Sequence, residues 1–373
     1  LRLLVPNTAW VLLISAVLIF LGGLLTMSSF VAENPFFERQ LMWGVIAIGL
    51  FFALSLFDFR FLRRTNIIML LFGLSVILLV LIFFFGEISK GAQNRFDFGS
   101  FAFQPTDPAK LVLILLLAKY FSRRHVEIAH IRHILVSGSY TLVLFSLVFL
   151  QPDLGSAIII FMIWLGMVLV AGISRRHLLM VFLTIAVVSS GMWFYGLEDY
   201  QKARVTSFLN PLTDIQGAGY NAYQSTIAVG SGQLLGKGVG YGTQSKLQFL
   251  PEYETDFIFA AFAEEWGFVG VVLFLALFGI VIWRILVNAV YGETNFEILF
   301  GVGLAILFMS HFVIHVGMNI GILPITGTTL PLMSYGGSHL ITEFIGLGIL
   351  MGMHRYSRAA HRDDIKKNEF LGV

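Results

Sequence analysis

A chain of 373 residues in which 57% are hydrophobic and only 12% charged is too apolar for a water-soluble globular fold. A formal net charge of +2 offers no strongly basic field for nucleic acid, and the absence of cysteine excludes disulfides, thiolate nucleophiles and Cys-based metal sites. Lipid must be the main solvent for such a sequence. In chain order, roughly ten apolar runs approach the ~20 residues that a membrane-spanning helix needs. They fall at 8–30, 41–57, 66–86, 101–121, 133–150, 154–172, 177–196, 257–287, 298–322 and 338–354. The first run follows only Arg2 and exceeds a signal-peptide core in length, so it reads as a retained first helix. The expected fold class is therefore an all-α polytopic membrane protein, a single transmembrane domain over 1–373 with no visible internal repeat.

Orientation follows from the basic residues, because cytoplasmic loops are enriched in Lys and Arg. One set of alternate connections carries Arg60, Arg63 and Arg64, then Arg123, Arg124 and Arg132, then Arg175 and Arg176, and finally Arg355, Arg358, Arg362, Lys366 and Lys367. That set, both termini and the 355–373 tail are expected in the cytoplasm. The other set, at 31–40, 87–100, 151–153, 197–256 and 323–337, is expected outside. The connection at 197–256, between the seventh and eighth helices, is broken by Gly217, Gly219, Gly230, Gly232, Gly236, Gly238, Gly240 and Gly242. A connection of that length without its own domain is functional or disordered. Its apolar residues, among them Tyr200, Phe208, Ile227, Leu234, Leu235 and Phe249, predict an ordered loop with short amphipathic helices lying against the membrane surface.

The outside connections hold the chemistry-bearing residues. Asp256 stands where the long loop meets a helix. Thr255 and Asp256 suit a helix N-cap, while a carboxylate beside an apolar face is partly desolvated and so suited to general-base work. Both readings have similar weight on residue type alone. Glu264 is about 12 Å further along a helix at 1.5 Å per residue. It is expected inside the bilayer, in a cavity lining or a helix–helix pair, and too far away to share the proton of Asp256. Asp107 before Pro108 reads as a helix cap. Lys110, one turn on, must snorkel, pair or face an anion, and with Arg95 upstream it could hold a diphosphate. Asp153, in the short turn Gln151-Pro152-Asp153-Leu154-Gly155-Ser156, is either a capping residue or part of the same outer cavity. The breaker-rich stretch 321–338, which includes Ser334, is expected to line a cavity, since such backbone is tolerated at membrane depth only there. His311 and His315 lack a third ligand and read as polar contacts between helices. Gly230 to Gly238 lacks the residues of a phosphate loop.

These residues carry a resemblance. The chain resembles, nearly end to end, the SEDS family (shape, elongation, division and sporulation). The match lies in Ile88-Ser89-Lys90-Gly91-Ala92-Gln93, Phe103-Gln104-Pro105, Gln151-Pro152-Asp153-Leu154-Gly155, Gly217-Ala218-Gly219-Tyr220, Thr255-Asp256-Phe257-Ile258-Phe259-Ala260, Glu264-Glu265 and Ser334-Tyr335-Gly336-Gly337-Ser338. Gly242-Thr243-Gln244-Ser245 before Leu250-Pro251-Glu252 tips the likeness toward elongation-type rather than division-type members.

The resemblance implies a peptidoglycan glycosyltransferase of the bacterial cytoplasmic membrane that polymerises lipid II and works with a class B penicillin-binding protein. It implies Asp256 as the essential acid, with Arg95, Lys110, Asp153, Gln104, Glu264 and Ser334 around the substrate. Thr106-Asp107 followed by Pro108 departs from the family's usual Ser-Glu, which puts a direct role for Asp107 in question. No cofactor is required by the sequence, and a divalent cation, Mg or Mn, beside the diphosphate is left open. A flippase for the lipid-linked precursor is the main alternative, but that class favours repeated halves. A non-catalytic scaffold for the crosslinking partner is a third.

Overall fold

Inside lipid every backbone polar group must be satisfied within the chain, which forces apolar runs into helices. The computed structural model describes residues 7–28, 35–89, 92–99, 101–123, 131–196, 218–247 and 249–371, with the isolated positions 202, 206 and 208. The first part of the long loop, 197–217, therefore falls almost wholly outside the described residues. The helices are α1 (Asn7–Ser28), α2 (Pro35–Ser55), α3 (Thr65–Phe85), α4 (Thr106–Ser122), α5 (Ile131–Leu150), α6 (Leu154–Ala171), α7 (Arg175–Tyr195), α8 (Ala218–Ser231), α9 (Thr243–Lys246), α10 (Ile258–Val290), α11 (Asn295–Asn319) and α12 (Gly337–Leu371). Eight of them, α1, α2, α3, α5, α6, α7, α10 and α11, are long and apolar enough to cross a membrane. The expected spans at 101–121 and 338–354 correspond to α4 and to the first half of α12. The chain is a multi-pass helical membrane protein.

The fourth expected span begins later than its apolar run. Residues 101–103 do not open a helix; they form the edge of a small antiparallel sheet with strand order β1 (Glu87–Ser89), β2 (Ala92–Asp97), β3 (Ala102–Phe103). Glu87 pairs with Arg95, and Phe96 with Phe103. Phe101 and Phe103 are as apolar as a span, so a length criterion merged strand with helix. The true helix start follows Gln104-Pro105, where proline disfavours the helical region for the residue before it.

α4 runs through the middle of the bundle. From Ala109 to Ala118 its side chains are buried, and it packs against α3, α5, α6, α11 and α12. A helix buried on every side shows almost no amphipathicity, and the sequence gives none. α2 lies along α12, and α1 along α10. α10 is interrupted at Gly267 (φ 65°, ψ −169°), which divides it into Ile258–Trp266 and Phe268–Val290. At the end of the bundle opposite Asp256, Arg63 reaches Glu293 at 2.6 Å and Glu297 at 2.5 Å, tying the α2–α3 connection to the α10–α11 connection.

Candidate active site

The seat of Asp256 is built from three separate segments. Residues 251–257 turn tightly, with the amide of Asp256 donating to Glu252 O at 3.0 Å. The Asp256 carbonyl accepts from Asn319 Nδ2 at 3.0 Å, and Asn319 Oδ1 accepts from the Ala260 amide at 3.1 Å. The last turn of α11 thus clasps the first turn of α10. On the other flank, Ser334 Oγ donates to Thr255 O at 2.7 Å and accepts from the Leu330 amide, while the Tyr335 amide donates to Glu254 O at 2.8 Å. Gln40 on α2 donates to Ser334 O and accepts from the Gly336 amide.

The N-cap position of α10 falls on Phe257, and no side chain caps it, so the capping role weighed for Thr255 and Asp256 does not arise. The side chain of Asp256 instead faces Gly327. A Cβ at that glycine would sit 3.4 Å from Asp256 Oδ2, and its φ of 70° also favours glycine. The breaker-rich stretch 321–338 thereby comes up against the Asp256 side chain at Gly327.

The sheet is tied to the same end of the bundle through Asp153 and Gln104. Asp153 caps α6 through the Ser156 amide at 3.0 Å, and its second oxygen accepts from Asn94 at 3.1 Å and Gln104 at 3.2 Å. Gln104 is joined in turn to Ser338 by its amide at 3.2 Å. Hydrogen bonds therefore lead from Asn94 on β2, beside Arg95, through Asp153 and Gln104 to the start of α12, close to Ser334. Arg95, Gln104, Asp153, Ser334 and Asp256 all lie at one end of the bundle. Within that set Asp153, Gln104 and Ser334 act chiefly as struts, and the capping option weighed for Asp153 is realised.

Lys110 is embedded more deeply than a residue awaiting a ligand. Only 2% exposed, its ammonium lies 3.3 Å from Asp107 Oδ1 and 3.3 Å from His311 Nε2. Nδ1 of His311 donates to Thr329 O at 3.2 Å, and Nδ1 of His315, one turn on, donates to Thr328 O at 2.7 Å. A carbonyl only accepts, so His311 presents Nε2 as an acceptor to the lysine. His339 completes the group between Asp107 (3.5 Å) and Glu343 (3.0 Å), and Glu343 Oε2 accepts from the amide of Leu332 at 2.9 Å.

Two expectations need correction here. Asp107 does not cap α4, whose N-cap is Pro105 without a side-chain bond; it is an ion-pair partner instead. His311 and His315 are not only helix contacts, since both hold consecutive carbonyls of the loop beside Asp256. Asn319, Gln40, His339 and Glu343 went unread in the sequence. Asn319 and Gln40 bond mainly backbone atoms of distant segments, so no local spacing marks them, whereas His339 and Glu343 stand four apart on one helix, a spacing that could have flagged them.

Glu264 also sits differently from expectation. It precedes the break at Gly267, and Phe268–Val290 by itself is roughly 35 Å long at 1.5 Å per residue, enough to span. Glu264 is fully buried under the long loop, where a cavity lining or a helix–helix pair was expected. Its Oε1 accepts from Lys237 Nζ (2.7 Å), the Thr243 amide (2.9 Å) and Thr243 Oγ1 (3.0 Å), and its Oε2 from the Gln244 amide (3.1 Å). All of those partners except Lys237 come from the Gly242–Ser245 motif. Glu264 is the anchor of the loop.

Beside the Gln104–Ser338 contact is an apolar cavity of about 260 Å³ between α3, α4, α12 and β3, lined by Leu71, Leu78, Phe103, Val112, Ile341 and Ile345 among others. The protein is thus a multi-pass helical membrane protein that gathers an acid, a guanidinium and amide side chains at one end of its bundle, next to an apolar slot.

Residues 2–359 match the FtsW/RodA/SpoVE family of cell cycle proteins, and the chain belongs to that family. Peptidoglycan glycosyltransferase MrdB of Escherichia coli (strain K12) is 37% identical over 350 residues, 93% of each chain. Stage V sporulation protein E of Bacillus subtilis (strain 168) is 33% identical, covering 95% of this chain and 97% of that one. Among solved structures, the rod shape-determining protein RodA of Thermus thermophilus superposes with a TM-score of 0.70 at 30% identity, over 93% of this chain and 96% of that one. A chain from a peptidoglycan synthase complex, described as coordinating polymerization and crosslinking, superposes with a TM-score of 0.80 at 32% identity, over 93% of this chain and 98% of that one.

Proposed function

We propose that this protein is a peptidoglycan glycosyltransferase that polymerises lipid II on the extracytoplasmic side of the bacterial cytoplasmic membrane, with both termini inside. Family membership and relatives named for that activity support the reading. One structural observation carries it: both carbonyls flanking the Asp256 side chain, those of Thr255 and Asp256, are pinned by Ser334 and Asn319, while the carboxylate is turned toward Gly327 rather than used as a helix cap. A base needs fixed geometry before it needs strength.

In this reading a sugar hydroxyl of the acceptor attacks the anomeric carbon of the growing chain. Asp256 takes the hydroxyl proton, the new glycosidic bond forms as the C–O bond to the diphosphate breaks, and undecaprenyl diphosphate leaves. A single in-line displacement inverts the anomeric centre and needs one positioned carboxylate, as in inverting glycoside hydrolysis. Arg95 would meet the departing diphosphate with a bidentate fork, and Lys110, held behind Asp107 and His311, would add positive field rather than contact. The apolar slot beside Gln104 suits an isoprenoid chain. Among the described residues no three His, Asp or Glu side chains converge as an ion site. A divalent cation, Mg²⁺ or Mn²⁺, would neutralise the departing diphosphate, and chelator titration of the assay tests this.

We further propose elongation-type work beside a class B penicillin-binding protein. In support, the Gly242-Thr243-Gln244-Ser245 motif that favoured that type is the latch on Glu264, and one superposing chain comes from a peptidoglycan synthase complex. The experiment is glycan synthesis from defined lipid II by purified protein, with and without the transpeptidase. Asp256→Ala should abolish product at unchanged melting temperature, and product of normal length from that variant would remove Asp256 from the mechanism. Lipid II translocation without polymer would instead support the flippase.

A further inference from the structure

A break in a helix leaves backbone amides and carbonyls without partners, and at Gly267 the long loop supplies them. The Phe268 amide donates to Gln233 O at 2.8 Å and the Val269 amide to Leu234 O at 3.1 Å. In return the carbonyls of Glu264 and Glu265 accept from the amides of Lys237 and Gly238, each at 3.0 Å. The turn 232–238 is spliced into α10. The fit leaves no room for side chains: a Cβ at Gly232 would meet Ala263 O at 2.0 Å, and one at Gly236 would meet Glu265 O at 2.1 Å.

This splice fixes the depth of the turn. Trp266, the last residue before the break, donates to Thr26 on α1 at 3.1 Å, two residues short of where α1 ends at Ser28. Tryptophan favours that boundary between hydrocarbon and headgroups. Just beyond the break, Phe268 (61% exposed), Val269 (57%) and Leu273 (60%) form the lipid-facing side of the α10 span. Leu234 (68%) and Leu235 (81%) stand at the same level, joined to that side by the backbone bonds.

The rest of the turn is prepared for lipid as well. The Gly236 amide donates to Gly232 O at 2.8 Å, and Lys237, the single charge in the turn, is paired with Glu264. Irregular backbone survives near hydrocarbon only when its polar groups are satisfied in this way.

We propose that the Gln233–Lys237 turn is inserted in the bilayer at the Asp256 end of the bundle, with Leu234 and Leu235 among the lipid acyl chains just below the headgroups. The occupant of this surface is lipid, because the surface continues the lipid-facing side of α10. The proposal concerns membrane contact and holds whether or not Asp256 is a base.

The chain has no cysteine, so Leu235→Cys in the full-length protein gives a single labelling site. An environment-sensitive fluorophore there is read in phosphatidylethanolamine–phosphatidylglycerol nanodiscs. Phe84→Cys on the exposed face of α3 serves as the lipid standard, and Lys246→Cys as the water standard. Quenching at 235 by lipids spin-labelled near the headgroup should be several-fold stronger than by lipids labelled at the chain end, with little quenching by aqueous iodide. Iodide quenching equal to that at Lys246→Cys, or shielding that arises only when the transpeptidase is added, overturns the proposal. Leu234→Cys repeats the measurement should the first variant not fold.

Discussion

Asn319 holds three backbone groups around the candidate base with its side chain. Its amide side chain donates to the Asp256 and His315 carbonyls and accepts from the Ala260 amide, and its own carbonyl accepts from Ser225 Oγ on α8. Replacing it by leucine leaves these buried groups unpaired, at ~1–3 kcal/mol for each unsatisfied one. Because the loss falls on alignment of Asp256, Asn319→Leu should reduce polymer synthesis by about ten- to a hundredfold, since 1.4 kcal/mol corresponds to tenfold in rate. Lipid II binding should change far less, and a KM–kcat separation on purified protein checks this. Glu343 has the same kind of role toward Leu332, a non-glycine residue at φ 64°. Glu343→Ala strips the partner from the Leu332 amide and one carboxylate from His339. Thermal unfolding should show a destabilisation of ~1–3 kcal/mol, while Glu343→Gln, which keeps an acceptor for that amide, should recover most of it.

Among the elements, α10 and the sheet decide where the site residues stand. The two arms of α10 are held in register by the turn 232–238, so steric insults to the splice act on Asp256 at a distance. Gly232→Ala places a methyl 2.0 Å from Ala263 O, a contact that forces backbone to move. The expected outcome is faster hydrogen exchange at both Phe268 and Lys237, and a drop in synthesis larger than that caused by Leu235→Ser, whose side chain is 81% exposed. The sheet is held more lightly. Asp153→Asn keeps an acceptor for the Ser156 amide but weakens the charge-assisted bonds from Asn94 and Gln104, roughly 1–3 kcal/mol in total. It should loosen the segment bearing Arg95 while leaving helix content unchanged, measurable by exchange at 92–97.

At the scale of the whole molecule, the bundle was legible because its solvent is legible: long apolar runs follow directly from bilayer chemistry. Two kinds of feature were not. The sheet at 87–103 and the break at Gly267 lie inside stretches whose apolarity matches the spans around them, so hydropathy cannot separate them. Asp107 lies three residues from Lys110, but the other side-chain partners of Asp256, Lys110 and Glu264 are distant in sequence, as with Asn319 on Asp256, His311 on Lys110 or Lys237 on Glu264, and single polar residues in apolar helices give no hint of which neighbour they will meet. Asp256 stands out as a candidate through its place at a loop–helix junction and through resemblance, whereas the backbone contacts around it are visible only in three dimensions. Arg63 with Glu293 and Glu297 shows the limit of charge arguments too. Arg63→Ala should cost ~1–3 kcal/mol, nearly all of it from Glu297, 5% exposed and left without its cation, since the bridge to Glu293, 41% exposed, adds little.

The break at Gly267 has a mechanical meaning for the membrane around it. At roughly 35 Å, Phe268–Val290 is long enough to cross the hydrocarbon slab by itself, which would leave Ile258–Trp266, with Asp256 just before it, above that slab like a float on a mooring. A thicker bilayer would raise its own phosphate plane relative to the carboxylate, and a thinner one would lower it, at fractions of a kcal/mol per ångström of mismatch. Synthesis measured across vesicles of graded acyl-chain length should therefore pass through a maximum, and a flat profile would mean that the float follows the lipid surface instead of the shaft.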